Sequence, residues 1–105
     1  MNLQNIKNHQ EPPRGLIQSI IDSFSKGQKK EAIIEIDALI KDYPLSPLLF
    51  NVSGSFYKSN NQLDVAVTKF KQALALKPNY TEVHFNLGVT LRELGLIDGA
   101  IKSYK

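Results

Sequence analysis

The chain has 105 residues, of which 42% are hydrophobic and 22% are charged, and it contains no cysteine. This length predicts one domain with a modest core, and the lack of cysteine excludes disulfides and thiolate metal sites. Thirteen Lys and Arg against ten Asp and Glu give a net charge of +3, a surplus too small to indicate binding to nucleic acid or to an anionic membrane. No apolar run approaches the roughly 20 residues of a membrane span. The first residues also lack the hydrophobic stretch of a secretory signal, so a cytoplasmic location is expected.

The first twelve residues differ in pattern from the six segments that follow them. Residues 1–12 are polar, end in Glu11-Pro12 before a second proline, and are predicted to form a disordered lead-in. Beyond them, apolar side chains recur every three or four residues, which is the spacing of a helix with one buried face. The spacing predicts helices over residues 14–25, 29–42, 47–59, 63–76, 81–94 and 97–105. No stretch alternates apolar and polar residues as a strand would.

Local residues predict where these helices begin and turn. Ser46 offers a hydroxyl to cap a helix whose first residue, Pro47, has no N–H to leave unsatisfied. Two other starts resemble capping boxes, namely Asn61 with Asp64 and Asn79 with Glu82. Tight turns are expected at residues that tolerate unusual backbone angles, which are Gly27, Asn60-Asn61 and Gly95.

The same residue types return at an interval of 34 residues. Alanine recurs at positions 32, 66 and 100, proline at 44 and 78, and glycine at 54 and 88. An interval of this length with two helices per unit predicts stacked helical hairpins, each stabilised by its neighbours. We expect the glycines and alanines to lie where paired helices approach closely. The wider gaps between units are expected to be filled by Tyr57, Phe70 and Tyr104.

Units of this length and pattern resemble the tetratricopeptide repeat (TPR), whose residues follow roughly W-x2-L-G-x2-Y, then A-x3-F, then P. The second unit gives Phe50-x2-Ser53-Gly54-x2-Tyr57, then Ala66-x3-Phe70 and Pro78. The third gives His84-x2-Leu87-Gly88-x2-Leu91 and Ala100-x3-Tyr104. The first lacks the glycine and gives Leu16-x2-Ser19-Ile20-x2-Ser23, then Ala32-x3-Ile36 and Pro44.

The resemblance covers residues 13–105 and implies an all-α, right-handed superhelix of about three antiparallel helix hairpins. The corresponding division is a lead-in over residues 1–12, a degenerate first repeat over 13–46, a second repeat over 47–80 and a truncated third repeat over 81–105. In such a stack the first helix of every unit lines a concave face, which in this family usually receives an extended or helical peptide. The positions that match the family's groove are Ile17, Ile21, Leu48, Asn51, Val52, Ser55, Lys58, Glu82, Phe85, Asn86, Val89 and Arg92.

Asn86 suggests a more specific role for this groove. The stretch Phe85-Asn86-Leu87-Gly88 resembles the repeat arm of O-linked N-acetylglucosamine transferases, where a ladder of asparagines grips the backbone of a peptide. An amide suits that task because it both donates and accepts hydrogen bonds. The equivalent positions of the other two repeats hold Val52 and Gln18, so the ladder would have one asparagine.

Another mode of binding in the family uses Lys and Asn in the groove to clamp the C-terminal carboxylate of chaperones. The matching positions here are Ile17, Ile21, Val52, Glu82 and Asn86. They include no base, and Glu82 would repel a carboxylate. The sequence therefore predicts that this chain does not bind peptides by such a clamp.

The remaining polar residues indicate no chemistry. Lys69, Lys71 and Lys77 are expected to solubilise the convex face, and Asp37 to lie on a helix surface without a special role. His84 occupies the position usually given to Trp and is expected to be a satisfied core imidazole. The sequence contains no catalytic motif, so no catalytic residue, cofactor or metal site is predicted and the chain by itself is expected not to be an enzyme.

The leading prediction is a non-catalytic scaffold for protein–protein interaction that presents a concave groove to a peptide or protein segment. A second hypothesis is the N-terminal recognition arm of a larger enzyme that continues beyond Lys105, such as a glycosyltransferase, sulfotransferase or methyltransferase. A third is a structural module whose exposed repeat ends associate with other copies of the chain. Fold analogy alone does not name the partner.

Overall fold

The computed structural model describes residues 11–95, which form five α-helices joined by short turns. They are α1 (Arg14–Ser25), α2 (Lys29–Asp42), α3 (Pro47–Ser59), α4 (Leu63–Leu76) and α5 (Thr81–Glu93). The bounds agree with the predicted helices to within one residue, and residues 11–95 contain no strand. The sixth predicted helix, with Ala100 and Tyr104, lies outside the described residues, as do residues 1–10.

The helices stack in chain order, so that each one packs against the next. The buried residues form two clusters, and α3 contributes to both because two of its faces are covered. The first cluster contains Ile17, Ile20, Ala32, Ile33, Ile36, Leu39, Leu49 and Phe56. The second contains Phe50, Ala66, Phe70, Ala73, Val83 and Leu87.

Small residues lie where the helices approach most closely, as their spacing predicts. Ala32 and Ala66 have no exposed surface. A Cβ atom on Gly54 would lie 2.6 Å from Cε1 of Phe70, which is closer than real Cβ atoms approach a neighbour. Phe70 therefore fills the space that Gly54 leaves inside the α3–α4 hairpin, rather than only a gap between units. Tyr57 does join two units, because its hydroxyl donates a hydrogen bond to Asp37 of α2.

The turns inside the hairpins share one backbone conformation. Gly27, Asn61 and Gly95 all have positive φ angles, of 96°, 61° and 78°. They follow one another at the 34-residue interval, and each lies just after the first helix of its unit. The turn residues were correctly predicted, and Asn61 is the one position of the three where a side chain is held in the left-handed region.

The predicted helix caps are wrong except for proline at the first position of α3. None of the five helices has a hydrogen bond from a side-chain cap. Ser46 instead donates its hydroxyl to Glu11, at 3.0 Å. The N-cap positions of α4 and α5 are Gln62 and Tyr80, so Asn61 and Asn79 lie one residue too early for a capping box.

Two residues of the predicted lead-in take part in this contact. Glu11 accepts the hydrogen bond from Ser46, and Pro12 is buried. The chain is therefore held against the start of α3 before α1 begins. This arrangement forms one wall of the pocket described below.

Candidate peptide-binding groove

The first helices of successive units are neighbours, as the groove prediction requires. Phe24 of α1 stacks on Phe56 of α3, with ring centroids 4.2 Å apart and planes 4° from parallel. Lys58 of α3 lies 3.5 Å from Glu93 of α5 in an ion pair. The helices α1, α3 and α5 thus present adjacent faces, and side chains near the C-terminal end of α3 connect it to both neighbours.

The twelve predicted groove residues differ widely in how much surface they offer. Ile17 and Asn51 are buried, each with 6% of its surface exposed, so they offer little surface to a peptide. Six are half-buried: Ile21, Val52, Ser55, Lys58, Asn86 and Val89. Four are exposed: Leu48, Glu82, Phe85 and Arg92. Phe85 is the most exposed of the aromatic groups in the core and groove, at 66%.

Asn51 and Asn86 bind each other across the groove. The Asn86 amide nitrogen donates to the Asn51 amide oxygen at 3.1 Å, and the Asn51 amide nitrogen donates to the Tyr80 hydroxyl at 3.5 Å. The pKa of Tyr80 is raised, mainly because burial disfavours its charged form, while the bond from Asn51 acts in the opposite direction. Within residues 11–95 the Asn86 amide oxygen accepts no hydrogen bond.

These bonds change what Asn86 can do. A ladder asparagine directs its amide to the peptide backbone, but one of the two N–H groups of the Asn86 amide is directed to Asn51, which leaves the other N–H and the oxygen for a peptide. The sequence did not predict this pair because the two asparagines are 35 residues apart, one residue out of step with the repeat. Two asparagines on neighbouring first helices, separated by 35 residues, could have indicated the pair, because the stack brings such positions close together.

A pocket of about 370 Å³ opens where α1 and α3 begin. Its predicted groove residues are Ile17 and Leu48. Its other lining residues match no predicted binding position, and these are Glu11, Pro12, Arg14, Pro47, Lys77 and Tyr80. They come from three separate segments, and only the fold brings them together.

Away from the groove, Asp37 joins three helices. It accepts hydrogen bonds from Ser53 at 2.8 Å and from Tyr57 at 2.5 Å, and Lys69 lies 3.7 Å away. The hydrogen bond that Tyr57 donates to Asp37 raises the pKa of Tyr57 to about 12, with burial and the negative charge of Asp37 adding to the effect. Asp37 and Lys69 are therefore structural partners rather than merely surface charges, in contrast to the sequence prediction.

Two further predictions concern ligand chemistry. His84 is exposed rather than part of the core, but its Nε2 lies 2.7 Å from the Pro78 carbonyl oxygen, so the ring is satisfied locally. Among residues 11–95 no group of three or more potential ligands is placed to hold a metal ion. The five described helices are each too short or too polar to cross a membrane.

Comparison with known proteins adds to this geometry. The family model of the TPR repeat matches residues 54–95, from the middle of α3 through α5. This part of the chain is therefore similar to TPR repeats. No curated protein sequence matches it significantly.

Several solved structures resemble this chain. One is the first TPR domain of Spaghetti (RPAP3) bound to the HSP90 peptide SRMEEVD, with 26% identity, a TM-score of 0.78, and coverage of 85% of this chain and 71% of that chain. Another is the type III secretion chaperone SycD of Yersinia enterocolitica in complex with a peptide of the translocator YopD, with 16% identity, a TM-score of 0.79, and coverage of 86% and 69%. A third is MamA, with 21% identity, a TM-score of 0.77, and coverage of 85% and 52%. The chain therefore has the all-α TPR solenoid fold.

Proposed function

We propose that this chain is a non-catalytic TPR scaffold that binds a segment of another protein on the face formed by α1, α3 and α5. The observation that carries the proposal is the pairing of α3 with α5 through Asn51–Asn86 and Lys58–Glu93, which holds their inner faces as one surface. That surface exposes two large apolar side chains, Leu48 and Phe85, at 38% and 66%. An exposed apolar group beside polar donors and acceptors is typical of a peptide groove.

The similar structures support a peptide partner, and the residues of this chain limit its kind. Spaghetti and SycD were solved with bound peptides, and the Spaghetti domain is 26% identical to this chain. A terminal carboxylate clamp is not part of the proposal, because the matching positions are Ile17, which is buried, Ile21 and Val52, which are half-buried, Glu82, which is exposed, and Asn86, which directs one of its two amide N–H groups to Asn51. None of these groups offers a positive charge. The repeat division over residues 13–46, 47–80 and 81–105 and the cytoplasmic location belong to the same proposal.

End-to-end association of copies is not favoured by the surface of α1. Leu49 and Phe56 of α3 face α1 and α2 in the core, and the α1 residues 34 positions before them are Gly15 and Asp22. Both are exposed, and Asp22 accepts a hydrogen bond from Gln18. Stacking another copy on this face would desolvate the Asp22 carboxylate, which has a hydrogen bond from Gln18 but no ion pair within residues 11–95, and this desolvation is costly. We therefore propose that the chain does not self-associate through its first repeat.

Light scattering after size-exclusion chromatography tests whether the chain self-associates through its first repeat. A mass of 11.8 kDa that does not change with concentration is expected. A dimer that is lost in Ser19→Arg, a change on the same exposed face of α1, would overturn it.

The groove itself is tested with random peptides displayed on phage and selected on the full chain. We expect the selected peptides to bind Phe85→Ala about tenfold more weakly, because a large exposed apolar contact is lost. The matched control is Ile34→Ala, since Ile34 is 69% exposed but lies on α2, away from the groove. Failure to select any peptide, or peptides sensitive to Ile34→Ala and not to Phe85→Ala, would contradict the proposed surface.

A further inference from the structure

We infer that the pocket at the start of α1 and α3 is an anchor site for one apolar side chain in an acidic stretch of the bound protein. The inference rests on the proposed function and names the chemistry of its partner. It also differs from the carboxylate clamp, because it requires an internal acidic stretch and no free chain terminus. Three features of the pocket lead to it, namely its walls, its rigidity and its charge.

The walls of the pocket are mainly apolar. Among its lining residues Pro12 and Ile17 are buried, Pro47 and Tyr80 are half-buried, and Leu48 is exposed. Its volume of about 370 Å³ is at the small end of ligand pockets, which typically span ~300–1,000 Å³. A branched or aromatic side chain entering from a peptide suits this volume and would cover the exposed part of Leu48.

Two hydrogen bonds hold the walls in place before any partner binds. Ser46 donates to Glu11, which fixes the segment before α1 against the start of α3. Asn51 donates to the Tyr80 hydroxyl and in turn accepts from Asn86. The pocket wall is thus connected to the middle of the groove, and a preformed pocket loses less conformational entropy on binding.

The charges around the pocket favour an acidic partner. Arg14 and Lys77 line it, and Lys77 is held over the Tyr80 ring with its ammonium 4.6 Å from the ring centroid. Arg14 makes no ion pair with any of residues 11–95. The one acidic lining residue is Glu11, whose carboxylate already accepts the bond from Ser46. Glu82, the other carboxylate near Tyr80, does not line the pocket.

The probes that test this site are capped tripeptides titrated into the isotope-labelled full chain and followed by amide NMR spectra. Acetyl-Glu-Leu-Glu-amide is expected to shift the amides of Arg14, Leu48, Lys77 and Tyr80 in a saturable way, with a dissociation constant on the order of 1 mM for so small a contact. Acetyl-Glu-Ala-Glu-amide and acetyl-Lys-Leu-Lys-amide should bind about tenfold more weakly. The first lacks the large apolar side chain, and the second lacks the acidic residues.

Matched variants distinguish the pocket from nonspecific contact. Leu48→Ser should abolish the shifts, whereas Leu76→Ser should leave them unchanged, since Leu76 is 37% exposed against 38% for Leu48 but does not line the pocket. Lys77→Gln should reduce the preference for Glu over Lys in the probe, and Lys71→Gln, an exposed lysine of α4 outside the pocket, should not.

The possible outcomes separate this inference from the proposed function. Equal binding of the acidic and basic tripeptides, retention of binding in Leu48→Ser, or the absence of shifts at the pocket would each overturn the anchor site. Phage-selected peptides that shift α3 and α5 but leave the pocket unchanged would overturn the anchor site and support the groove. If neither class of peptide binds, both are overturned.

Discussion

The contact between Gly54 and Phe70 leaves no room for an added methyl group on Gly54. Phe70 has no exposed surface, and a Cβ on Gly54 would lie 2.6 Å from one ring atom and 2.7 Å from another. Gly54→Ala should therefore force the ring or the helices apart, at a cost of about 1–3 kcal/mol. Better helix propensity offsets about 0.5–1 kcal/mol of this. We expect the melting temperature, measured by circular dichroism, to fall by roughly 4 °C or more.

Gly15 provides the control for this prediction. It also lies in a helix, but a Cβ placed on it would meet nothing within 4 Å. Gly15→Ala should leave the melting temperature unchanged or raise it slightly, because only propensity changes. Equal melting temperatures for the two variants would show that α3 and α4 do not pack as closely as described.

Tyr57 makes stability depend on pH in the alkaline range. The hydrogen bond to Asp37 raises its pKa from 10.0 to about 12 in the folded chain. A raised pKa means that the folded state favours the protonated hydroxyl, so this stabilisation is complete below pH 10 and is lost as the pH rises toward 12. In urea titrations, wild type should be more stable than Tyr57→Phe at neutral pH, and the difference should shrink across this window.

Tyr43→Phe serves as the reference for Tyr57. Tyr43 is also half-buried, but its hydroxyl makes no hydrogen bond to the residues described in the structure. Tyr43→Phe should change the stability at neutral pH less than Tyr57→Phe does, because it removes no such hydrogen bond. A constant difference for Tyr57→Phe across the alkaline range would refute the role of Asp37.

At the residue scale, the sequence predicts apolar contacts better than polar ones. Ala32, Ala66 and Gly54 were identified because close packing restricts side-chain size at every repeat, and this restriction is visible as a period. The bonds of Asp37 and Asn51 involve single residues that do not recur in the other repeats. Their partners are set by which side chains the folded helices bring within about 3 Å, and periodicity carries no information on that.

At the scale of the helices, the turn at Asn61 gives a sharp test. Its φ of 61° is shared with the glycines at the equivalent positions, and its side chain makes no hydrogen bond to residues 11–95. Asn61→Val should destabilise the chain by about 1–2 kcal/mol, since a branched side chain is strained in the left-handed region. Asn61→Gly should be tolerated within about 0.5 kcal/mol. Chemical denaturation measures both.

The neighbouring residue separates backbone strain from the effect of the valine itself. Asn60 has φ of −91° and is also in the turn. Asn60→Val should cost less than Asn61→Val, even though it removes a bond from Asn60 to Gln62. If the two valine variants were equally destabilised, strain at Asn61 would not be the cause.

The helix bounds were predictable because each is set by local residues and by the period, but the caps were not. Ser46 precedes Pro47 as a capping residue should, yet its hydroxyl donates to Glu11 and its backbone N–H donates to the Tyr43 carbonyl. A capping side chain competes with any other partner within reach. The segment before α1 supplies that partner from 35 residues away, which a local motif does not reveal.

For the molecule as a whole, the period predicted which helix faces adjoin but not which groove side chains stay available. Ile17, Asn51 and Phe85 occupy equivalent positions in the three repeats, with exposures of 6%, 6% and 66%. Asn51 is covered from the side of α5, as its bond to Asn86 shows. The low exposure of Asn51 therefore follows from its neighbour α5 and not from the residue itself.

The sharing of α3 between the two core clusters predicts that the described helices unfold together. Leu49 is fully buried in the first cluster, and the adjacent Phe50 belongs to the second. Asp37 further connects α2 with α3 and α4. Leu49→Ala should cost about 2–5 kcal/mol, and native-state hydrogen exchange should show α2 and α4 losing protection by the same amount because no unit is stable alone. Loss confined to α1 and α2, with α4 still protected, would instead reveal a second hairpin that folds without the first, and the groove could then open between α1 and α3 independently of the rest.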